Sequence, residues 1–379
     1  MVYALTNGKI FTGEKSIFRK SLIIEGKKIK DIIDEKKLAI LYPNIEIKDV
    51  KGRLIAPAFI DLQLNGCGGV LVNDDISEKT FKIINETNLK YGCTMYTPTL
   101  ITCEDEKIEK SLEVMSKIEN LEDLGIIGLH IEGPYISKEK KGTHREDYIR
   151  ILSDEIIEKI SNSKTTILTL APENATTTHI NKLVSGGITV SMGHTNGTYD
   201  EISNKLPYGI TMATHLYNGM SSYNHREPGA VGAILNSKKL TAGIIVDGLH
   251  CHYAAVKIAK KLLGDRLFLV TDAAAPAGTD MKEFLFEGKR CFHSNGELRN
   301  EEGSLAGSVL TMIKGVQNLV EYVGESLEES LRMASLYPAK AIGIDDRYGK
   351  IKKGYIADLV ILDEKINLKN VIVKGRWRY

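Results

Sequence analysis

From LIAPAFIDLQLNG (54–66) onward, short apolar runs alternate with stretches whose apolar residues recur at helical spacing, the rhythm of βα units around a parallel sheet. Eight runs follow in order: LIAPAFIDLQLNG, TMYTPTL, GIIGLHIEG, TTILTLAPE, GITVSMGH, GITMATHL, TAGIIVDGLH and RLFLVTDA. Each is rich in Ile, Val, Leu and Thr and bounded by Gly, Pro or Asn, as strands buried on both faces require. Between the early ones, SEKTFKIINETNLKYG and EDEKIEKSLEVMSKIEN have helical periodicity. Eight such units close a barrel, so the predicted fold class is α/β, a (β/α)8 barrel over 54–349.

Both chain ends have a different rhythm. YALTNGKIF, SLIIEGKKIKDII and IEIKDVKG, then GKIKKGYIADLVILDEKINLKNVIVKGRWRY, read as β-type runs, which predicts a small β domain made from 1–53 and 350–379. Before the tail, SVLTMIKGVQNLVEYVG and LEESLRMASLYPAKAIG read as two helices, and the Gly-rich stretch around 283–303 as a hairpin or flap over the barrel face.

Four of the apolar runs stop on a residue that can bind or serve a metal ion: Glu132, His194, His215 and Asp272. A parallel barrel gathers the carboxyl ends of its strands on one face, so residues distant in sequence converge there. Taken singly, a strand-end His or Glu is as readily a solvated residue, and an Asp an N-cap. Together, two imidazoles and a carboxylate match a catalytic zinc site with three protein ligands and an open fourth position. Asp272 is then the general base, with Pro276 and Gly278 favouring a loop over a helix behind it. Lowering the pKa of a bound water from 15.7 to about 7 corresponds to roughly 12 kcal/mol, against about 3 to 5 kcal/mol for a base. The metal is therefore the primary expectation.

In the first strand, Gln63 and Asn65 occupy places where two histidines would hold a second ion, so a single divalent ion per subunit is expected, with amides lining the pocket. In YNGMSSYNHREPGAVGA, the residues Asn218, Gly219 and Arg226 suit an anion, through backbone N–H groups and a bidentate guanidinium. His250 in VDGLHCHY can add a donor, and His144 in the lysine-rich SKEKKGTHREDYI can donate to a developing oxyanion. Cys67 in NGCGG has no adjacent base and reads as a packing residue.

The charge balance excludes other classes. Fifty basic and 49 acidic residues, interspersed, give a net charge of +1 and no broad basic field for nucleic acid or an anionic membrane. Five cysteines without a C-x-x-C pair suit a reducing compartment. MVYALTNGKIFTGEKS lacks the layout of a signal peptide, and no run of roughly 18 apolar residues occurs, so a cytoplasmic protein is expected.

The motifs APAFIDLQLNGCGG, LHIEGPY with the later KGTH, SMGHTNGTYD, ATHLYNGM, HREPGAVGA, VDGLH, VTDAAAPAG and LRMASLYPAKAIG occur in that order across nearly the whole chain. In this the chain resembles the N-acetylglucosamine-6-phosphate deacetylases of the amidohydrolase superfamily. The resemblance implies a barrel with a small β-sandwich built from both termini, in a homodimer. It implies Glu132, His194 and His215 as metal ligands, Asp272 as catalytic acid/base and His144 as the group polarising the acetamide carbonyl. It also implies that Asn218, Gly219 and Arg226 hold a sugar phosphate, with His250 reaching it from the neighbouring subunit.

Some members carry two histidines in the first strand; Gln63 and Asn65 match the one-metal branch. Gly219 stands where relatives often have alanine, a change that leaves a backbone N–H contact intact. The expected substrate is thus a phosphorylated amino sugar, the products acetate and D-glucosamine 6-phosphate, and the ion Zn2+, with Fe2+, Co2+ or Mn2+ as alternatives. The rival readings are the same chemistry on the galactosamine epimer and a catalytically silent sugar-phosphate-binding regulator.

Overall fold

The computed structural model describes residues 1–379, which divide into two units. One comprises 1–60, 88–94 and 312–379, and the other 61–87 and 95–311.

In the first unit the tail pairs with the start of the chain. A four-stranded sheet runs in the order Lys28–Asp34, Lys20–Glu25, Val2–Thr6, Glu46–Asp49. A six-stranded sheet runs Arg376–Trp377, Leu368–Val373, Leu359–Leu362, Leu54–Pro57, Lys9–Phe11, Ser16–Ile17. Its seam between the chain ends is antiparallel, from Leu359 opposite Pro57 to Leu362 opposite Leu54. Strand alternation sends Leu22 and Ile24 of one sheet, and Leu359 and Ile361 of the other, into a shared apolar core. That is the small β-sandwich expected of the two termini.

This unit also carries the late helices, and they depart from the sequence reading. LEESLRMASLYPAKAIG forms two helices, Leu327–Ala334 and Leu336–Ala341, broken at Ser335. Pro338 has no N–H to return to the preceding turn and its ring crowds that turn, so the helix restarts just ahead of it. Likewise the helix Met312–Asn318 passes into one π-helical turn, Leu319–Val323.

The eight predicted barrel strands are all present: Phe59–Leu64, Cys93–Ile101, Leu129–Glu132, Thr165–Leu170, Thr189–Met192, Ile210–Ala213, Thr241–Ile245 and Leu267–Val270. They form one sheet in sequence order. Hydrogen bonds close the ring between its ends, from Asp272 N to Gln63 O at 2.9 Å and from Asn65 N to Ala273 O at 2.9 Å. Glu132 is level with Ile101 and Thr169, and Met192 with Leu170 and Ala213, so the third, fifth and sixth strands end at one height. The segment expected to be a hairpin or flap is a three-stranded antiparallel sheet, Glu283–Phe286, Lys289–Ser294 and Glu297–Asn300, whose Phe284, Phe286 and Leu298 pack with Leu71 and Ile101.

Below the strand ends the barrel interior is polar but paired. His130 Nε2 lies 2.8 Å from Thr169 Oγ1, which lies 2.7 Å from Thr214 Oγ1. Burial pushes the His130 imidazole down to about 4. Beside this layer, Asp61 accepts from the Gln63 and Thr271 backbone N–H groups, each at 3.2 Å, and from the Thr271 hydroxyl. Burial nonetheless dominates and pushes the Asp61 carboxyl up to about 7, against a usual 3.8.

A carboxyl raised in the folded state keeps a proton that the unfolded chain gives up, so its ionisation costs stability between about pH 4 and pH 7. Asp61→Asn has no such charge to bury. Its stability relative to wild type should rise with pH across that window, by on the order of 4 kcal/mol at 1.36 kcal/mol per unit. Denaturation midpoints of the two proteins at several pH values test this, and a gap independent of pH would contradict it.

Candidate active site

Three donor atoms meet at the barrel mouth. Glu132 Oε1 lies 3.2 Å from His194 Nε2 and 2.9 Å from His215 Nε2, and the two Nε2 atoms are 3.0 Å apart. All three side chains are buried. Ligand bonds of 2.0–2.2 Å in tetrahedral geometry put donor atoms about 3.3 Å apart, so the three sit close to the spacing of a zinc triad. His194 and His215 have φ of 47° and 32°, and Asp272 has 51°. The left-handed region is sparsely used by residues other than glycine and costs on the order of 1–3 kcal/mol. Here it turns the chain at the end of the fifth, sixth and eighth strands.

Hydrogen bonding assigns the electronic state of His194. Its Nδ1 is 2.7 Å from the Lys140 carbonyl, an acceptor only, so Nδ1 carries the proton and Nε2 presents a lone pair to the other donors. His215 Nδ1 has no partner, so no second contact fixes which of its ring nitrogens carries the proton. Two lone pairs and a carboxylate at this spacing repel unless a positive charge lies among them. Burial alone would raise the Glu132 carboxyl, yet the His194 and His215 imidazoles hold it well below the usual range. His215 is raised to about 8: burial opposes its charge, and the Glu132 hydrogen bond and charge overcome that. A proton on His215 is one way to supply the positive charge, and a divalent cation is the other. The donor set therefore fits a metal ion.

Asp272 stands beside this cluster. Its Oδ1 accepts from Gln63 Nε2 at 3.1 Å and Asn65 Nδ2 at 2.7 Å, and Gln63 Nε2 is also 3.2 Å from both Glu132 oxygens. The Gln63 amide thus bridges the two carboxylates, and first-strand residues expected merely to line the pocket tie the site together. Burial and the Glu132 charge raise the Asp272 carboxyl to about 6, near the range where an acid/base group works at neutral pH.

A cavity of about 290 Å³ opens over these groups, and Glu132, His144, His194, His215, Asn218, Gly219, His250 and Asp272 all line it. His144 comes from a loop, yet its ring is buried, with its centroid 4.2 Å from that of His194 and its Nδ1 2.7 Å from Thr102 Oγ1. Ile101, Phe286 and Leu305 supply apolar wall. The Asn218 backbone N–H is already spent on His215 O at 2.9 Å, whereas the Gly219 N–H makes no bond within the chain. Gly219 has φ 56°, and a Cβ there would meet His194 Nδ1 at 2.8 Å, so glycine leaves room for the imidazole.

Two expected binding residues sit differently. His250, expected from a neighbouring subunit, lines the cavity of its own chain, with Nδ1 2.6 Å from Asp247 Oδ2. Arg226 is exposed on its loop and does not line the cavity. Sequence reading passed over Asp247, although it follows the seventh strand as the other site residues follow theirs, and Thr102, which carries no sequence signal. All five cysteines are buried and none is in a disulfide, and burial pushes the Cys67 thiol up, as suits a packing residue.

The sequence profile of the amidohydrolase family matches 54–378, and that of the NagA composite domain matches 2–55. The chain is 42% identical to the N-acetylglucosamine-6-phosphate deacetylase of Haemophilus influenzae over 383 residues, covering 100% of both. It is 34% identical to the N-acetylgalactosamine-6-phosphate deacetylase of a Shewanella species, over 86% of this chain and 84% of that one. The crystal structure of N-acetylglucosamine-6-phosphate deacetylase from Pasteurella multocida superposes with a TM-score of 0.95 at 43% identity, covering 100% of both chains.

A cation bound only by the folded state adds about 2.7 kcal/mol of stability at a hundredfold excess over its Kd. Zinc added to chelator-treated protein should raise the melting temperature, and His194→Ala or His215→Ala should abolish most of that rise. Equal stabilisation of the variants would move the ion elsewhere.

Proposed function

Because this chain belongs to the amidohydrolase family, we propose that it hydrolyses the acetamide of N-acetyl-D-glucosamine 6-phosphate to acetate and D-glucosamine 6-phosphate. The observation that carries this reading is the meeting of Glu132, His194 and His215 donors with the Asp272 carboxylate in one cavity. Glu132, His194 and His215 would hold one divalent ion, with zinc favoured by two imidazoles and a carboxylate, and Fe2+, Co2+ or Mn2+ compatible. Bound there, the ion supplies Lewis acidity and makes a water nucleophile available at neutral pH.

The chain's own residues do the rest. Asp272 takes the proton of the attacking water and returns it to the departing amine, while Gln63 and Asn65 hold its carboxylate in place. His144 donates to the oxygen that gains charge as the acetamide carbon becomes tetrahedral. The free Gly219 N–H suits a phosphate oxygen, with Asn218 and His250 beside it. In this proposal His250 serves its own chain, and a homodimer is needed only if Arg226 is to grip the phosphate, since that side chain stands off its own cavity. The catalytic barrel is proposed to span 54–349, with 1–53 and 350–379 as the small domain. No helix is long and apolar enough to cross a membrane, and a cytoplasmic location is the proposal that suits five cysteines outside any disulfide.

The test is acetate release from N-acetylglucosamine 6-phosphate by chelator-stripped protein before and after zinc, with the unphosphorylated sugar and the galacto epimer alongside. Activity should return with metal and require both the phosphate and the gluco configuration. Faster turnover of the galacto epimer would favour the relative from Shewanella as the guide, and no release from any sugar would favour the silent regulator. Asp272→Asn should keep the ion and lose about 10²- to 10⁴-fold in kcat. Retention of more than about a tenth of the rate, far outside the usual loss of a catalytic base, would remove Asp272 from that role.

A further inference from the structure

His144 and His194 pack with ring centroids 4.2 Å apart and planes tilted by 48°, yet their Nδ1 atoms face opposite kinds of partner. His194 Nδ1 faces the Lys140 carbonyl, which only accepts. His144 Nδ1 faces the Thr102 hydroxyl at 2.7 Å, which can also donate. Thr102 is fully buried, and its Oγ1 has no other hydrogen-bond partner in the chain. The Gly133 backbone closes in on it as well: a Cβ at that glycine would lie 2.3 Å from Oγ1.

From these contacts we infer that Thr102 is a positioning residue that donates its hydroxyl proton to His144 Nδ1 and so fixes the neutral ring with its proton on Nε2. In the reverse arrangement, Nδ1–H would donate to Oγ1 and the buried hydroxyl proton would have no acceptor, at its full desolvation cost. Nε2 would then present a bare lone pair to the cavity, repelling an incoming carbonyl oxygen. With Thr102 donating, both groups are satisfied and Nε2–H is a donor aimed at no protein atom. The two neighbouring imidazoles thus take opposite tautomers: His194 offers a lone pair to a cation, and His144 offers a proton to an oxygen. This inference rests on the proposed role of His144 and adds the group that sets it.

The experiment is a long-range proton–nitrogen NMR correlation of zinc-loaded, ¹⁵N-histidine-labelled enzyme at neutral pH, with the His144 signals assigned by their loss in His144→Gln. Wild type should show His144 protonated at Nε2 and bare at Nδ1. Thr102→Val, which keeps the shape and removes the hydroxyl, should shift the His144 Nδ1 resonance through loss of the donated hydrogen bond and lower kcat by about 10- to 100-fold, with KM changed less than about threefold, the pattern of lost transition-state stabilisation. Thr102→Ser should restore both. A wild-type His144 protonated at Nδ1 would overturn the inference even if no variant folds, as would a Thr102→Val enzyme with unchanged Nδ1 resonance and kcat. Failure of wild type to release acetate would instead overturn the proposed function, and the tautomer would still be read from the spectrum.

Discussion

Crowding of lone pairs at the barrel mouth is the constraint around which the site is built. Three donors about 3 Å apart in a buried setting need a positive charge, and the surrounding contacts hold them there rather than relieving them. The Lys140 carbonyl keeps the His194 lone pair aimed inward. Left-handed backbone at His194 and His215 turns the chain at each strand end, although relaxed conformations would cost less. A protein that kept these features for packing alone would gain nothing from them, since apolar residues of similar volume fill such space more favourably.

The first strand suits the single ion proposed for the site. Gln63 and Asn65 present amide N–H groups to Glu132 and Asp272, where a second cation would otherwise neutralise them. Burial and the Glu132 charge raise the affinity of Asp272 for protons, and the neutral amide donors offset only part of that, which suits a group that must take a proton and then give it back. Closure of the barrel between the Gln63 carbonyl and the Asp272 N–H brings these residues within reach of one another. Barrel closure and site electrostatics are thus the same set of contacts.

Much of this was legible in the chain. Apolar runs of strand length marked all eight strands, and the residue at the end of a run marked Glu132, His194, His215 and Asp272, because burial on both faces forces a run to end where the cavity begins. Asp61, Gln63 and Asn65 alternate along one strand, so their shared inward direction could have been read from period two. Other features depend on contacts that no local pattern encodes. The Gln63 bridge needs the first strand beside the eighth, and Thr102 meets His144 across 42 residues. The broken late helix had its signal in Pro338, outweighed in the reading by the apolar spacing around it.

The donors come from the third, fifth and sixth strands, the neighbouring carboxylate from just after the eighth, and the ring closes only when that last segment bonds to the first strand. A chain emerging from the ribosome therefore cannot assemble this centre until Ala273 has left the exit tunnel, however well its earlier units have formed. The full arrangement of Glu132, His194 and His215 beside Asp272 is thus a property of the closed ring, completed by the last strand rather than by any one βα unit.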